Sequence, residues 1–292
     1  MIQSATRALL VGAIAAAGAR LAYATLRRFP PGGEKTWTRT NHRGEPVTLT
    51  EGPALTAGAL TAILLSERID APAPRSLSAV VAATGAAAFG VLDDLAGSGK
   101  RRGLRGHLGA LFHGEVTTGA VKLLGIGATG IAAAAAQGGD PADVAVNAGL
   151  IAGSANLLNL FDLRPGRAIK VAIGSSALLI AAGTGNRSSR EDPFGVMVVL
   201  APPLGAALAL LPEDLGERAM LGDGGANALG ALLGAAAAAT LPRPARAGLL
   251  AGITALTLAS EKISFTKVIA ATPPLRWLDM LGRRPPQPPT PT

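Results

Sequence analysis

The sequence predicts an all-α membrane protein, a polytopic helix bundle of about nine spans. Three observations carry this. First, 49% of the 292 residues are hydrophobic and only 16% charged, with mean hydropathy +0.37, whereas an average soluble domain carries about 25% charged residues. Second, the apolar residues lie in long blocks rather than in an amphipathic period, as in segments that face lipid. Third, the basic residues fall in alternate connections, as topology signals do.

The candidate spans are about 8–26, 52–66, 77–95, 117–136, 143–161, 168–185, 194–211, 225–241 and 245–260. Ala and Gly fill them, and small residues let membrane helices approach closely. The first block has the outline of a cleavable leader, with Arg7, an apolar run and small residues near Ala17–Ala19. It nevertheless continues through Leu21–Leu26 to Arg27-Arg28, as a retained first span does. Of the 27 Lys and Arg, 18 follow spans 1, 3, 5 and 7 or lie in the C-terminal tail, and 7 lie on the other side. That asymmetry puts the N-terminus outside and the C-terminus in the cytoplasm of a plasma-membrane protein. Residues 1–284 are expected to form one transmembrane domain. The Pro-rich tail 285–292 is expected to be extended and disordered.

Composition also excludes chemistry. With no cysteine there is no disulfide, thiolate zinc site or Cys nucleophile. A net charge of +8 would suggest nucleic acid in a soluble protein, but aromatics are 3% and no binding motif appears. Charge sidedness explains the excess better, so no nucleic-acid partner is expected. His42, His107 and His113 have no metal-ligand spacing.

Three polar clusters interrupt the apolar pattern, all after odd-numbered spans and so on one face. Asp93-Asp94 ends span 3 and is followed by the basic run Lys100, Arg101, Arg102 and Arg105. A charge at the bilayer centre costs roughly 2.5–3.5 kcal/mol on insertion scales, so adjacent acids at a span end suggest work at the membrane surface. The second cluster runs from Asn156 through Asn159 and Asp162 to Arg164 and Arg167. The third is Met220-Leu-Gly222-Asp223-Gly224-Gly225-Ala226-Asn227, opening span 8. Each has a plainer reading: a solvated helix end, interhelical hydrogen bonding, and a turn with an N-cap. Their convergence favours a shared site instead.

The residue types suit a phosphate ligand and a hard cation. Asp93, Asp94, Asp162 and Asp223 offer oxygen ligands for Mg²⁺, which takes few carboxylates alongside substrate phosphates. Gly224-Gly225 at a helix start presents amides and a positive dipole end to an anion. Arg105, Arg164 and Arg167 can clamp phosphates. Lys122, early in span 4, either snorkels to the interface or contacts phosphate. The loop from Asn41-His42-Arg43-Gly44 to Glu51-Gly52 reads as a solvated connection, with closure over a substrate as the alternative.

The order of these features resembles the polyprenyl-phosphate N-acetylhexosamine-1-phosphate transferases, the superfamily of the phospho-MurNAc-pentapeptide translocase. The features are Asp-Asp after the third span, Lys early in the fourth, Asn-x-x-Asn-x-x-Asp at the fifth, and Met-x-Gly-Asp-x-Gly before a Gly/Ala-rich span. The resemblance covers about residues 1–260. It implies transfer of a sugar-1-phosphate from a UDP-N-acetylhexosamine to a polyprenyl phosphate, with release of UMP, in cell-wall or glycolipid precursor synthesis. It implies Mg²⁺ as cofactor, with Mn²⁺ as a substitute, and a homodimer as one option for assembly. By matching position, Asp223 would ligate the metal, and Asp93 and Asp94 would bind metal and handle the lipid phosphate. Lys122 would contact phosphate, and Asn156, Asn159 and Asp162 would hold the nucleotide side, with Arg164, Arg167, Gly224 and Asn227 beside them. Two departures stand out. Pro165 replaces the second Asp of the middle motif, and no His follows His113. A non-catalytic relative that binds the same ligands is the alternative these departures favour.

Overall fold

The computed structural model describes residues 2–69, 74–96, 117–185 and 195–285. Arg105 with the rest of its basic run, His107, His113 and the tail beyond 285 lie outside the described residues. In chain order the elements are α1 (Ile2–Arg28), α2 (Glu34–Trp37), β1 (Thr38–Thr40), β2 (Pro46–Thr48), α3 (Glu51–Ile69) and α4 (Pro74–Ala96). After these come α5 (Thr118–Gln137), α6 (Pro141–Phe161), α7 (Arg167–Gly185), α8 (Gly195–Leu215) and α9 (Gly222–Thr240). The chain closes with α10 (Arg243–Ser260), α11 (Phe265–Ala271) and α12 (Pro273–Met280). Each expected apolar segment coincides with a helix to within a few residues. Five stretches are long and apolar enough to cross a membrane: Ser4–Arg28, Arg75–Ala96, Thr118–Gln137, Pro141–Phe161 and Gly195–Leu215. The other four long helices, α3, α7, α9 and α10, have 18 or 19 residues, just under the ~20 that a bilayer core takes.

Helix α9 is the axis of the bundle. Sixteen of its nineteen residues are buried, as expected for a helix that is apolar on every side. It packs against α3, α4, α6, α7 and α8, while α1 packs outside on α3 and α8 and α10 lies outermost on α6. Close approach depends on missing side chains. A Cβ at Gly234 would sit 2.6 Å from the Leu150 carbonyl oxygen of α6, and one at Gly230 would collide with the Ser154 carbonyl. Larger residues fill the core around this contact, among them the fully buried Leu55, Leu150, Leu200 and Leu229.

Helices α4, α6 and α8 end where α5, α7 and α9 begin, and this end carries the acidic residues. The opposite end is pinned by Arg243 on Asp140 (2.9 Å) and by Arg246 on Asp143 (2.9 Å) and Asn147 (2.6 Å). That end also holds a cavity of about 400 Å³ between α1, α3, α4, α8 and α9. Pro202 and Pro203 lie inside α8 beside it and leave the carbonyls of Val198 and Val199 without intrahelical donors.

A short antiparallel hairpin departs from the all-helical expectation. Thr38, Arg39 and Thr40 pair with Thr48, Val47 and Pro46, and these β-branched residues suit a strand. The Asn41 side chain closes the turn by accepting the Arg43 and Glu45 amides at 2.8 and 2.9 Å, and Gly44 supplies a φ of +80°. The Met220 amide donates to Thr48 at 3.0 Å, which seats the hairpin on the α8–α9 connection. The expected solvated connection is therefore corrected: Val47, Leu49, Thr50 and Glu51 are all buried.

Gly234→Val should force α6 and α9 apart and cost about 1–3 kcal/mol, as overpacking does. A lower thermal midpoint in detergent would register it. Gly127→Ala, whose Cβ would meet nothing within 4 Å, should leave the midpoint unchanged or raise it.

Candidate functional site

Three helices bring the acidic pair, the lysine and the Gly-Asp-Gly turn together. Asp93 and Asp94 close α4, Lys122 stands in the second turn of α5, and Asp223 is the second residue of α9. Glycine makes the meeting of α4 and α9 possible. A Cβ at Gly90 would collide with the Asp223 carbonyl, and one at Gly224 would lie 2.6 Å from Val91 Cγ2. Lys122 Nζ donates to Asp223 Oδ2 at 2.6 Å and lies 3.0 Å from Asp93 Oδ2. The Lys122 and Asp93 side chains are each 17% exposed, so the ammonium bridges two carboxylates with little water around it.

Asp94 does different work. Its Oδ1 accepts the Asp223 amide at 3.1 Å and its Oδ2 accepts the Gly224 amide at 2.9 Å. The first amides of a helix have no intrahelical acceptor, and negative charge is favourable at that end. Asp94 thus caps α9 from a different helix, and Arg39 of β1 in turn donates to its main-chain carbonyl. The Gly224 amide, expected to meet a ligand anion, is engaged by this protein carboxylate instead.

Asp162 ends α6 and is half-buried, as are Asn156 and Asn159 on the preceding turns. Neither Asn side chain makes a hydrogen bond among the described residues. Burial, then the carboxylates of Asp214, Asp223 and Asp94, push the Asp162 carboxyl well above the usual carboxylate range, against the Gly222 amide. Asp162 and Arg164 line a cavity of about 210 Å³ with His42, Asp214, Glu217 and Met220. Asn227 is 1% exposed and its Nδ2 has no partner among the described residues. Arg167 is turned away from this cavity, because its guanidinium forms a bidentate pair with Asp279 at 2.7 and 3.1 Å and donates to Thr266 at 2.9 Å.

Three acids absent from the sequence-based site enclose the same region. Glu51 is 0% exposed, and among the described residues neither of its carboxylate oxygens is hydrogen-bonded. Asp214, 2% exposed, accepts the Gly166 amide at 3.0 Å. Glu217 holds an unusual φ of +55° and accepts from Asn41 Nδ2 at 2.9 Å and Arg43 Nε at 2.8 Å. Asp214 had a legible signal: Glu213-Asp214 closes an apolar run just as Asp93-Asp94 does. Glu51 and Glu217 stand in short polar stretches and had none.

Among the described residues no group of three or more His, Asp or Glu side chains forms a ready-made ion shell. The donor set fits Mg²⁺ in another way. Asp223 and Asp93 supply the one or two carboxylates that Mg²⁺ takes when phosphate oxygens and water complete its octahedron. Both carboxylates hold the Lys122 ammonium here, so cation and lysine would compete for the same oxygens. No protein-family model matches the chain, and no curated protein matches it.

Asp94→Ala should strand two buried amides and destabilise the protein by about 1–3 kcal/mol, whereas Asp94→Asn keeps an acceptor and should lose less. Thermal unfolding in detergent measures both. His42 offers a second check. Burial, then Arg164, holds its pKa below 6.5, and Glu217, 3.9 Å away, opposes them. A depressed folded value means that this group's contribution to stability is full above the unfolded pKa of about 6.5. It is lost as pH falls through the folded value. NMR titration should find the His42 pKa below 6.5 and lower still in Glu217→Gln.

Proposed function

We propose that the chain is a magnesium-dependent transferase that moves a sugar-1-phosphate from a UDP-N-acetylhexosamine-type donor onto a polyprenyl phosphate, releasing UMP. In this reading all nine long helices cross the plasma membrane, with the N-terminus outside and the acidic end facing the cytoplasm. The observation that carries it is the meeting of Asp93, Asp94, Asp223 and Lys122, drawn from three helices and linked by contacts of 2.6–3.1 Å. The four come from three separate motifs of the family that the sequence resembles.

The residues divide the work by position. Lys122, released when a cation takes the oxygens of Asp93 and Asp223, carries the positive charge that draws a phosphate between α4, α5 and α9. Mg²⁺, when bound, supplies the charge that screens a diphosphate and stabilises its transfer. Asp94, committed to α9, fixes the spacing between Asp93 and Asp223 to the precision that in-line attack needs. The second pKa of a phosphate monoester is near ~6, so the acceptor lipid is mostly dianionic at neutral pH. Asp93 therefore has no need to act as a strong base and serves as an electrostatic organiser. Asn156, Asn159 and Asp162, with the cavity beside Arg164, are the groups available to the nucleotide and sugar.

A second reading rests on Pro165. It lines the cavity beside Asp162, where the family pattern has a carboxylate, and so it favours a relative that binds these ligands without turnover.

Purified protein given a polyprenyl phosphate, a panel of UDP-N-acetylhexosamines and Mg²⁺ should release UMP. Chelation or Asp223→Asn should abolish release, a loss of at least the roughly hundredfold that one positioned electrostatic group contributes. Ligand binding without UMP across the whole panel would favour the non-catalytic reading, and absence of both would overturn the proposal.

A further inference from the structure

The C-terminal segment has two chemically distinct faces. One is spent on the protein. Asp279 of α12 pairs with Arg167 and with Arg283 (2.8 Å), and its main-chain carbonyl accepts Lys170 Nζ at 2.7 Å. Arg284 pairs with Glu45 of the hairpin, and Arg43 donates to the carbonyls of Arg284 and Pro285 at 3.0 and 2.7 Å. The other face is open among the described residues. Val268, Leu275, Trp277, Leu278 and Leu281 are 42–65% exposed. Lys262, Lys267 and Arg276 are exposed and make no ion pair among the described residues.

The depth of this second face is set by α6, one of the helices long and apolar enough to cross a membrane. Its last residue, Phe161, stacks on Phe265 at the start of α11, with ring centroids 5.0 Å apart. The segment therefore lies where α6 leaves the bilayer, at headgroup level. Tryptophan, apolar side chains and cations exposed together on one short segment are the composition of an element lying in the plane of that interface.

We propose that residues 261–285 form a surface latch whose outer face docks on anionic lipid headgroups, while its inner face holds the hairpin and the start of α7 at the acidic site. The cations complement a negatively charged leaflet. Lipid charge would then govern how firmly Arg43 and Glu217 are held beside the cavity. The latch rests on the membrane reading of the bundle but not on any transferase activity.

The full chain has no cysteine, so single nitroxide labels report cleanly. Labels at Trp277→Cys and Leu281→Cys, with Ile131→Cys on the exposed face of α5 as a control, are compared in two bilayers. These are nanodiscs of phosphatidylcholine alone and of phosphatidylcholine with phosphatidylglycerol. In the anionic bilayer the two latch labels should collide more with oxygen than with an aqueous nickel chelate, and in the neutral bilayer that preference should fall. Lys262→Gln/Lys267→Gln/Arg276→Gln should remove the difference between bilayers. Latch labels open to nickel in both bilayers, with Ile131 in hydrocarbon, overturn the latch and leave the membrane reading standing. Spin–spin broadening with shielding from both relaxants means that a second copy covers the face, and that also overturns it. An Ile131 label in water defeats the membrane reading and the latch together. A lipid-charge dependence that survives the triple substitution overturns the role of the cations.

Discussion

The acidic end of the bundle depends on one carboxylate that belongs to one helix and completes another. Asp94, the last acid of α4, accepts the first amides of α9 across 129 residues of chain. Inside a bilayer an unsatisfied amide costs more than in water, because no solvent competes for it. The cap therefore does more than end a helix. It fixes the axial position of α9 against α4 and so sets where Asp223 stands relative to Asp93. Lys122 bridges these two acids because the cap has already aligned them, and the glycines at 90 and 224 let the backbones come close enough for it.

Around this contact the protein gathers acids in a place that would ordinarily repel them. Asp214 and Glu217 are held by main-chain or guanidinium donors, but Glu51 has no donor among the described residues. An uncompensated set of buried carboxylates is costly unless protonated or paired. Such an environment favours ligands that bring positive charge with them, which agrees with a phosphate substrate arriving with a divalent cation. It disfavours a naked anion. The counter-charges at hand are the protein's own and are already engaged, Lys122 between Asp93 and Asp223 and Arg43 on Glu217.

The helices were legible in the sequence because lipid-facing segments are long and uniform, and each break in them is conspicuous. Asp93-Asp94, Lys122 and Asp223 were visible for that reason, as polar residues where apolar ones are expected. What each would do was not visible. Whether Asp94 faces a ligand or an amide depends on the angle between α4 and α9, which no local pattern records. Arg167 looked like a phosphate ligand beside Arg164, but the turn through Gly166 carries it to Asp279, a partner 112 residues away. The hairpin escaped notice because strands of three residues have almost no period to detect. Its register comes from the α8–α9 connection it rests on.

The paired prolines of α8 have an effect at the far end of the bundle. The carbonyls of Val198 and Val199 have lost their i+4 donors, and both residues line the cavity of about 400 Å³. In a hydrocarbon setting such oxygens find water if a route exists, and Ser4, Ser66 and Ser76 at the rim offer one. The bundle would then be hydrated from both surfaces. The dry layer separating the two solvents would be thinner than the helices are long, leaving the Ala- and Gly-rich middle of α9 as its principal seal.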